Sequence, residues 1–398
     1  MDRKSIIVLV ASIALLLLWP WLVNQVFPPK RLPPGATNAL ARAANPAELQ
    51  TNVLSAISTN VTAPATLTTP AFSSQTNQAL EYLENENARC TVSSHGGGMN
   101  LVELKKYPES TCGGKTNAAA HKDATLNTGA PVPVMTVVGH ESLLGDGIFN
   151  LTKSNAVLRA EKALTNGVYL VKEFRLSTNY LILATVRWEN RSSQPLALPA
   201  QHYVIGAATP MGLEDDLQAL GIEWYDGQNH ETIGQSWFDN HALGCACVPG
   251  TPRQEYLSGR SNVLWAAVHN QFFTIAVVPK DTNAQVYAQP IPLPPPTREE
   301  LAAHPKANRN PRGFQAALIY PPATLAPNQT LERQFFIFAG PKEYQTLAKL
   351  GSQFQNKLDL IMGYGGFFGF FSKGLLLSMN GLHALGFSYA LTIIAPRM

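Results

Sequence analysis

The sequence predicts a mainly β domain, a large antiparallel β-sandwich, flanked by α-helical membrane segments. Three observations carry that prediction: an uncharged apolar run at Ile6–Val23, a succession of strand-patterned runs from about Leu80 to Gly340, and a Phe- and Leu-rich stretch that closes the sequence. Composition agrees with it. The 398 residues are 45% hydrophobic and 14% charged, enough for a sizeable core and more than one structural unit. A net charge of +3 with no dense Lys/Arg cluster argues against nucleic acid as a partner, because such binding gathers basic residues on one face.

The first element is a membrane anchor at residues 1–27. After Met1-Asp2-Arg3-Lys4, the run Ile6–Val23 is interrupted only by Ser12 and Pro20. It is long enough to cross the ~30 Å hydrocarbon layer as a helix. A cleaved signal peptide shares the basic start, but this run outlasts a typical signal core and has no small-x-small exit. It ends instead on Trp19-Pro20-Trp21, and paired Trp residues suit the membrane–water interface. Residues 28–78 then change character: Pro, Ala, Thr, Asn and Ser dominate, and past Arg31 the only charges are Arg42 and Glu48. Such a segment buries too little apolar surface to offset chain entropy, which predicts a disordered tether.

Residues 79–340 carry the strand signal. The runs "RCTVSS", "MNLVELKK", "GVYLVKEFRL", "YLILATVRW", "VLWAAV", "FFTIAVV", "FQAALIY" and "LERQFFIF" are rich in β-branched and aromatic residues and are separated by Gly, Pro, Asn and Asp. Many short strands must each bury a face against a second sheet, which predicts the sandwich.

Helical periodicity returns over residues 341–362. Tyr344, Leu347, Leu350, Phe354, Leu358 and Ile361 step by three and four, the spacing of one apolar helix face lying on the sheet or on a membrane. Residues 363–385 combine four Phe and Leu375–Leu377 with sparse polar positions, the pattern of an interfacial helix. From Gly386 polar residues nearly vanish, so residues 386–398 read as the opening half of a second membrane crossing whose charge is Arg397.

These elements in this order resemble the YidC membrane protein insertase family of Gram-negative bacteria. The opening "MDRKSII" is similar to that family's anchor, "SSHGGGMNLVELKKYPE" to the first hairpin of its periplasmic domain, and "WAAVHNQFFTIAVVP" to a central strand pair. "FFIFAGPKEYQTLAKLG" is similar to the exit into its connecting helix, and "GYGGFFGFFSKGLLLSMNGLHALGFSYALTIIAPR" to its interfacial and second transmembrane helices. The resemblance implies a galactose-mutarotase-like supersandwich in the periplasm, held at the bacterial inner membrane by a protein that is multi-pass in full length. It implies assistance to the insertion and folding of integral membrane proteins, with or without the Sec translocon. Partners then include nascent membrane proteins, the translocon with its SecD and SecF accessory proteins, and lipid. By its spacing from Gly386–Ser388, Arg397 falls where the family places an arginine facing a hydrated groove that receives polar or acidic parts of the substrate. The family's core has four further transmembrane helices, so the sequence is expected to be a truncated chain lacking most of that core. No chemical catalysis, cofactor or metal is expected.

Other motifs in the sequence do not displace this reading. "HGGG" at His95–Gly98 matches an oxyanion loop, but without a G-x-S-x-G elbow it predicts a tight turn between strands. "GGKT" at Gly113–Thr116 follows Glu109 where a phosphate-binding loop needs its leading Gly. Cys90 and Cys112 have the placement to staple a hairpin. Cys245-Ala246-Cys247 with His241 departs from the usual C-x-x-C of a zinc site, so structural cysteines are expected. His140-Glu141 and His230-Glu231 lack the second His of a zincin and are expected at the surface. A second functional reading is a membrane-tethered β-sandwich module binding glycan or a partner protein in a cleft lined by Trp188, Trp224, Tyr225, Trp237 and Trp265.

Overall fold

The computed structural model describes residues 77–109, 122–164, 167–240, 250–363, 374–375 and 378–379. Strands dominate. β1 (Leu80–Glu84), β2 (Ala88–Ser93), β3 (Gly98–Pro108) and β4 (Asp123–Leu126) form a four-stranded sheet in chain order. After β5 (Val137–Val138) and the one-turn helix α1 (Glu141–Leu144), a meander follows: β6 (Asn150–Ser154), β7 (Val157–Ala163), β8 (Val168–Leu176) and β9 (Leu181–Asn190). Next come β10 (Leu196–Leu198), β11 (Gln201–Ala208), β12 (Gly221–Tyr225), β13 (His230–Gly234), α2 (Gln235–Asp239) and β14 (Tyr256–Ser258). Then β15 (Trp265–His269), β16 (Phe273–Pro279), β17 (Gln285–Pro292), α3 (Arg298–Ala303), β18 (Arg312–Tyr320), β19 (Ala323–Leu325) and β20 (Thr330–Pro341) complete the strands. Helix α4 (Tyr344–Phe354) and a 3₁₀ turn (Leu358–Met362) end the ordered sequence of elements.

A nine-stranded sheet in the order β13-β12-β15-β16-β20-β9-β8-β7-β6 forms one layer. The opposing layer contains a five-stranded sheet, β14-β17-β18-β11-β5, and the β1–β4 sheet, with β10 and β19 paired separately. The segment from Val134 to Thr136 stitches the two smaller sheets together. Met99 and Val134 exchange backbone hydrogen bonds of 2.9 and 2.8 Å, while Met135 N–H donates to Val204 O and Val204 N–H to Thr136 O.

Side-chain alternation decides which strand faces what. In β9, Ile182, Ala184, Val186, Trp188 and Asn190 are buried while the intervening residues are half-buried, the mark of a strand with one face on the core. β12, β15 and β16 are buried at nearly every position, because both of their faces are covered. Between the layers, Trp188 Nε1–H donates to Tyr203 Oη at 2.9 Å, and the Tyr203 ring packs on Tyr320 and Phe335 with centroids 5.5 and 5.1 Å away. Tyr107 meets Phe273 edge to face at 5.5 Å, tying the β1–β4 sheet to the same core.

The turn His95–Gly98 joins β2 to β3, with Gly96 and Gly97 at φ 73° and 54°. A Cβ on Gly97 would sit 2.5 Å from Cγ of Phe149, so the ring occupies the space a side chain would need.

Among the described residues no helix is long and apolar enough to cross a membrane. The expected anchor at 1–27, the tether up to residue 76 and the crossing at 386–398 lie outside the described residues, as does most of the expected interfacial helix at 363–385. The single helix expected over 341–362 is instead broken. β20 extends through Pro341, α4 stops at Phe354, and Gln355 and Lys357 turn the chain in left-handed conformation (φ 53° and 52°) before the 3₁₀ turn. The break follows from packing. Trp265 Nε1–H donates to Asn356 O at 2.8 Å, and the Phe354 ring packs tilted on Phe336 at 4.9 Å, so the chain doubles back over the sheet.

Replacing Gly97 with Ala is expected to lower unfolding stability by about 2–4 kcal/mol, combining left-handed strain with overpacking against Phe149. A urea midpoint within experimental error of the parent would contradict that.

Candidate functional site

Arg397 lies outside the described residues, as do His241, Cys245, Cys247, Cys112 and the Gly113–Thr116 stretch. Cys90 is a free thiol buried between strands, its pKa pushed up to about 12 chiefly by desolvation, with Glu103 adding to the rise. Among the described residues no group of His, Cys, Asp or Glu is arranged to hold a metal ion.

The aromatic cleft of the second reading is not formed. Trp188, Trp224, Tyr225 and Trp265 are at most 5% exposed and belong to the core. Trp224 donates to Tyr256 Oη at 2.7 Å, and half-buried Trp237 is packed against Phe238, Tyr256 and Arg253. Two grooves among the described residues are lined by other groups. One of about 220 Å³ lies over ion-paired Glu173, Arg187 and their neighbours on the outer side of β8, β9 and β20. The other, about 520 Å³, lies between Pro131 and Pro292–Pro294.

The expected surface placement holds for His140-Glu141, where exposed His140 caps α1, but not for His230. Strand pairing carries His230 inward. Tyr225 faces His230 in the β12–β13 ladder, and Gly221 faces His269 in the β12–β15 ladder. This places His230, His269 and Glu223 together on the outer face of the nine-stranded sheet. His230 Nε2 is 2.9 Å from Glu223 Oε2, and His269 Nε2 is 3.1 Å from Oε1. His269 and Glu223 thus form a close electrostatic pair. Gly221 leaves the room for it, since a Cβ there would lie 2.7 Å from His269 Nε2.

Burial would raise the Glu223 carboxyl. The His230 hydrogen bond, the proximity of His269 and the charge of Lys342 outweigh it and hold the carboxyl below its usual range. Lys342, the first residue after β20, is in turn lowered by burial and partly restored by Glu223. This cluster therefore joins two strands near the sheet edge, a central hairpin and the start of the exit helix.

Helix α4 and the 3₁₀ turn cover the same face. Leu347, Leu350, Leu358 and Ile361 are buried against it, and Lys357 Nζ lies 5.9 Å from the Tyr225 ring centroid. The site is thus a docking bracket: an apolar sheet face closed by the segment that leads out of the domain, with a buried carboxylate–imidazole cluster at its side.

A second buried charge lies between the layers. Lys172 is fully buried; its Nζ donates to Gly96 O at 2.6 Å and sits 4.5 Å from the Phe149 ring centroid. Burial, then repulsion from Lys162, pushes its pKa well below the usual lysine value. Lys162 is itself satisfied by Asp146 and by Ile148 O. Lys172 thus pins the glycine turn to β8.

The layered β domain and its bracketed exit define the class: a family model described as the YidC periplasmic domain matches residues 82–377. The chain belongs to the YidC family. Among its relatives, a protein named membrane protein insertase YidC from Geotalea uraniireducens (strain Rf4) is 22% identical over 404 residues, covering 99% of this chain and 66% of that protein. Its namesake from Francisella tularensis subsp. mediasiatica (strain FSC147) is 24% identical over 217 residues, covering 54% of this chain and 34% of that protein. The chain therefore spans about two thirds or less of these relatives' length. Among solved structures, a galactose mutarotase-like protein from Lactobacillus casei ATCC 334 is similar at a TM-score of 0.40 and 11% identity, covering 66% of this chain and all of that one.

Glu223→Gln is expected to destabilise the domain by about 1–3 kcal/mol, because the two imidazoles lose their buried carboxylate partner. A carboxyl whose pKa is lowered on folding contributes stability above its unfolded pKa and loses it as pH falls through the folded value. The parent should therefore lose Tm as pH falls below about 4.3, the ordinary glutamate value, and the Gln variant less steeply; parallel Tm–pH curves would contradict the assignment. For Lys172 the sign is opposite. A lysine lowered on folding disfavours the fold while protonated, so stability should rise from neutral pH toward about pH 10. Lys172→Met should flatten that rise.

Proposed function

We propose that the chain serves membrane protein insertion as a non-covalent, YidC-type insertase component at the bacterial inner membrane, with its β domain in the periplasm. The observation that carries this is the family match across residues 82–377, together with relatives named as insertases. Supporting it, the β domain ends in a bracketed exit segment at Gly363, after which the sequence has the interfacial and membrane-crossing pattern.

In this reading Arg397 is the substrate-contacting residue. An arginine at bilayer depth costs about 2.5–3.5 kcal/mol on insertion scales, a cost relieved where the guanidinium looks into a hydrated groove. The polar or acidic flank of an entering span takes up that position while its apolar side moves into lipid, and transfer of apolar surface drives the step. The protein lowers the barrier to that movement and forms no bond. Nascent membrane proteins are the substrates, and the Sec translocon with SecD and SecF are the partners.

In cells whose only copy of the gene carries Arg397→Ala, insertion of a small phage-coat-like substrate should fall several-fold. Arg397→Lys should fall less, because a mobile acidic partner needs the charge more than the fork geometry. Protease protection of the substrate measures both. Equal insertion by parent and both variants would remove Arg397 from the mechanism.

A further inference from the structure

We propose that residues 355–357 form a two-state joint, at which the exit segment switches between the doubled-back form described above and one continuous helix running from Tyr344 through Met362. Four independent observations point to it.

The sequence pattern is continuous across the break. Tyr344, Leu347, Leu350, Phe354, Leu358 and Ile361 would share one face of an unbroken helix, although the helix stops at Phe354. The break is also made by unfavourable residues. Gln355 and Lys357 both adopt left-handed conformation, at φ 53° ψ 37° and φ 52° ψ 44°, where glycine is the usual occupant. Asn356 N–H donates to Gly351 O at 3.0 Å, closing the helix end with Gln355 where a glycine ordinarily stands.

Third, Asn356 is 3% exposed, and neither its Oδ1 nor its Nδ2 has a hydrogen-bond partner. In an unbroken helix it would lie about 200° around the axis from Phe354, opposite the apolar face, where water satisfies both atoms. The doubled-back form therefore buries an amide that the straight form hydrates. Finally, a single glycine permits the doubling back. A Cβ on Gly351 would approach Leu358 N to 2.8 Å, a backbone atom that cannot swing aside.

Opposing these are the contacts that favour the doubled-back form: the Trp265 Nε1–H bond to Asn356 O, and the full burial of Leu358 and Ile361. Straightening exchanges that burial for continuous helix hydrogen bonds and uncovers Trp265. It also redirects the chain beyond Gly363, so the joint sets the reach and angle between the β domain and whatever follows. This inference stands whether or not the chain acts in membrane insertion.

The test uses the full chain in lipid nanodiscs, with spin labels at positions 345 and 362 attached through non-cysteine chemistry that spares the native thiols. Gly351→Ala, which favours helix and obstructs the doubled-back form, should shift the distance distribution toward about 26 Å, the rise of an unbroken helix over that span. The double variant Gln355→Gly/Lys357→Gly should remove any such population and slow hydrogen exchange of the amides of Leu358–Met362 at least tenfold. A single short distance in folded Gly351→Ala overturns the joint. Should Gly351→Ala fail to fold, as read by near-UV circular dichroism, the glycine double variant decides: slowed exchange supports the joint, and unchanged exchange overturns it.

Discussion

The constraint on which this architecture depends is that β12, β15, β16 and the end of β20 are buried on both faces. One face is covered by the opposing layer, through contacts such as Trp224 with Tyr256. The other has to be covered by something else, and the chain supplies it from its own continuation, α4 and the 3₁₀ turn, whose Leu347, Leu350, Leu358 and Ile361 are buried. Full burial of such side chains contributes about 1.5–3 kcal/mol each before entropy is counted. The exit segment is therefore part of the domain's core as well as its connection to the membrane-patterned sequence.

Buried charge reinforces the two ends of the same sheet. At the β12–β15 end, Glu223 collects two imidazoles and the field of Lys342, joining the edge ladder to the start of the exit. At the β7–β8 end, Lys172 reaches across the core to Gly96 O and the Phe149 ring. A buried ionisable group tied to particular partners specifies one arrangement more than it adds stability. Here the arrangements specified are the exit bracket and the glycine turn that registers β2 on β3.

Much of the fold was legible in the sequence because alternation and turn residues are local. The strands quoted from "RCTVSS" to "LERQFFIF" all appear, and His95–Gly98 is the tight turn its glycines announced. The Glu223 cluster was not legible, since its members come together only through the pairing of strands far apart in sequence. A carboxylate inside the otherwise apolar "GIEWY" was the available signal. Lys172 was more visible, because in "VYLVKEFRL" it shares parity with inward-facing Leu170 and Phe174. The aromatics read as a cleft are core because Trp188 has the inward parity of β9, while β12 and β15, which carry Trp224 and Trp265, are buried on both faces. The helix expected over 341–362 broke for a tertiary reason, the hydrogen bond from Trp265 to Asn356, which periodicity does not record.

The central claim, that the exit segment completes the core over one half of the nine-stranded sheet, is tested most directly by residue-resolved hydrogen exchange in a Leu347→Ala/Leu358→Ala variant. Exchange should accelerate strongly at the amides of β12 and β15 and remain at the parent rate in β7 and β8. Equal acceleration in all four strands, or none in β12 and β15, would contradict the account.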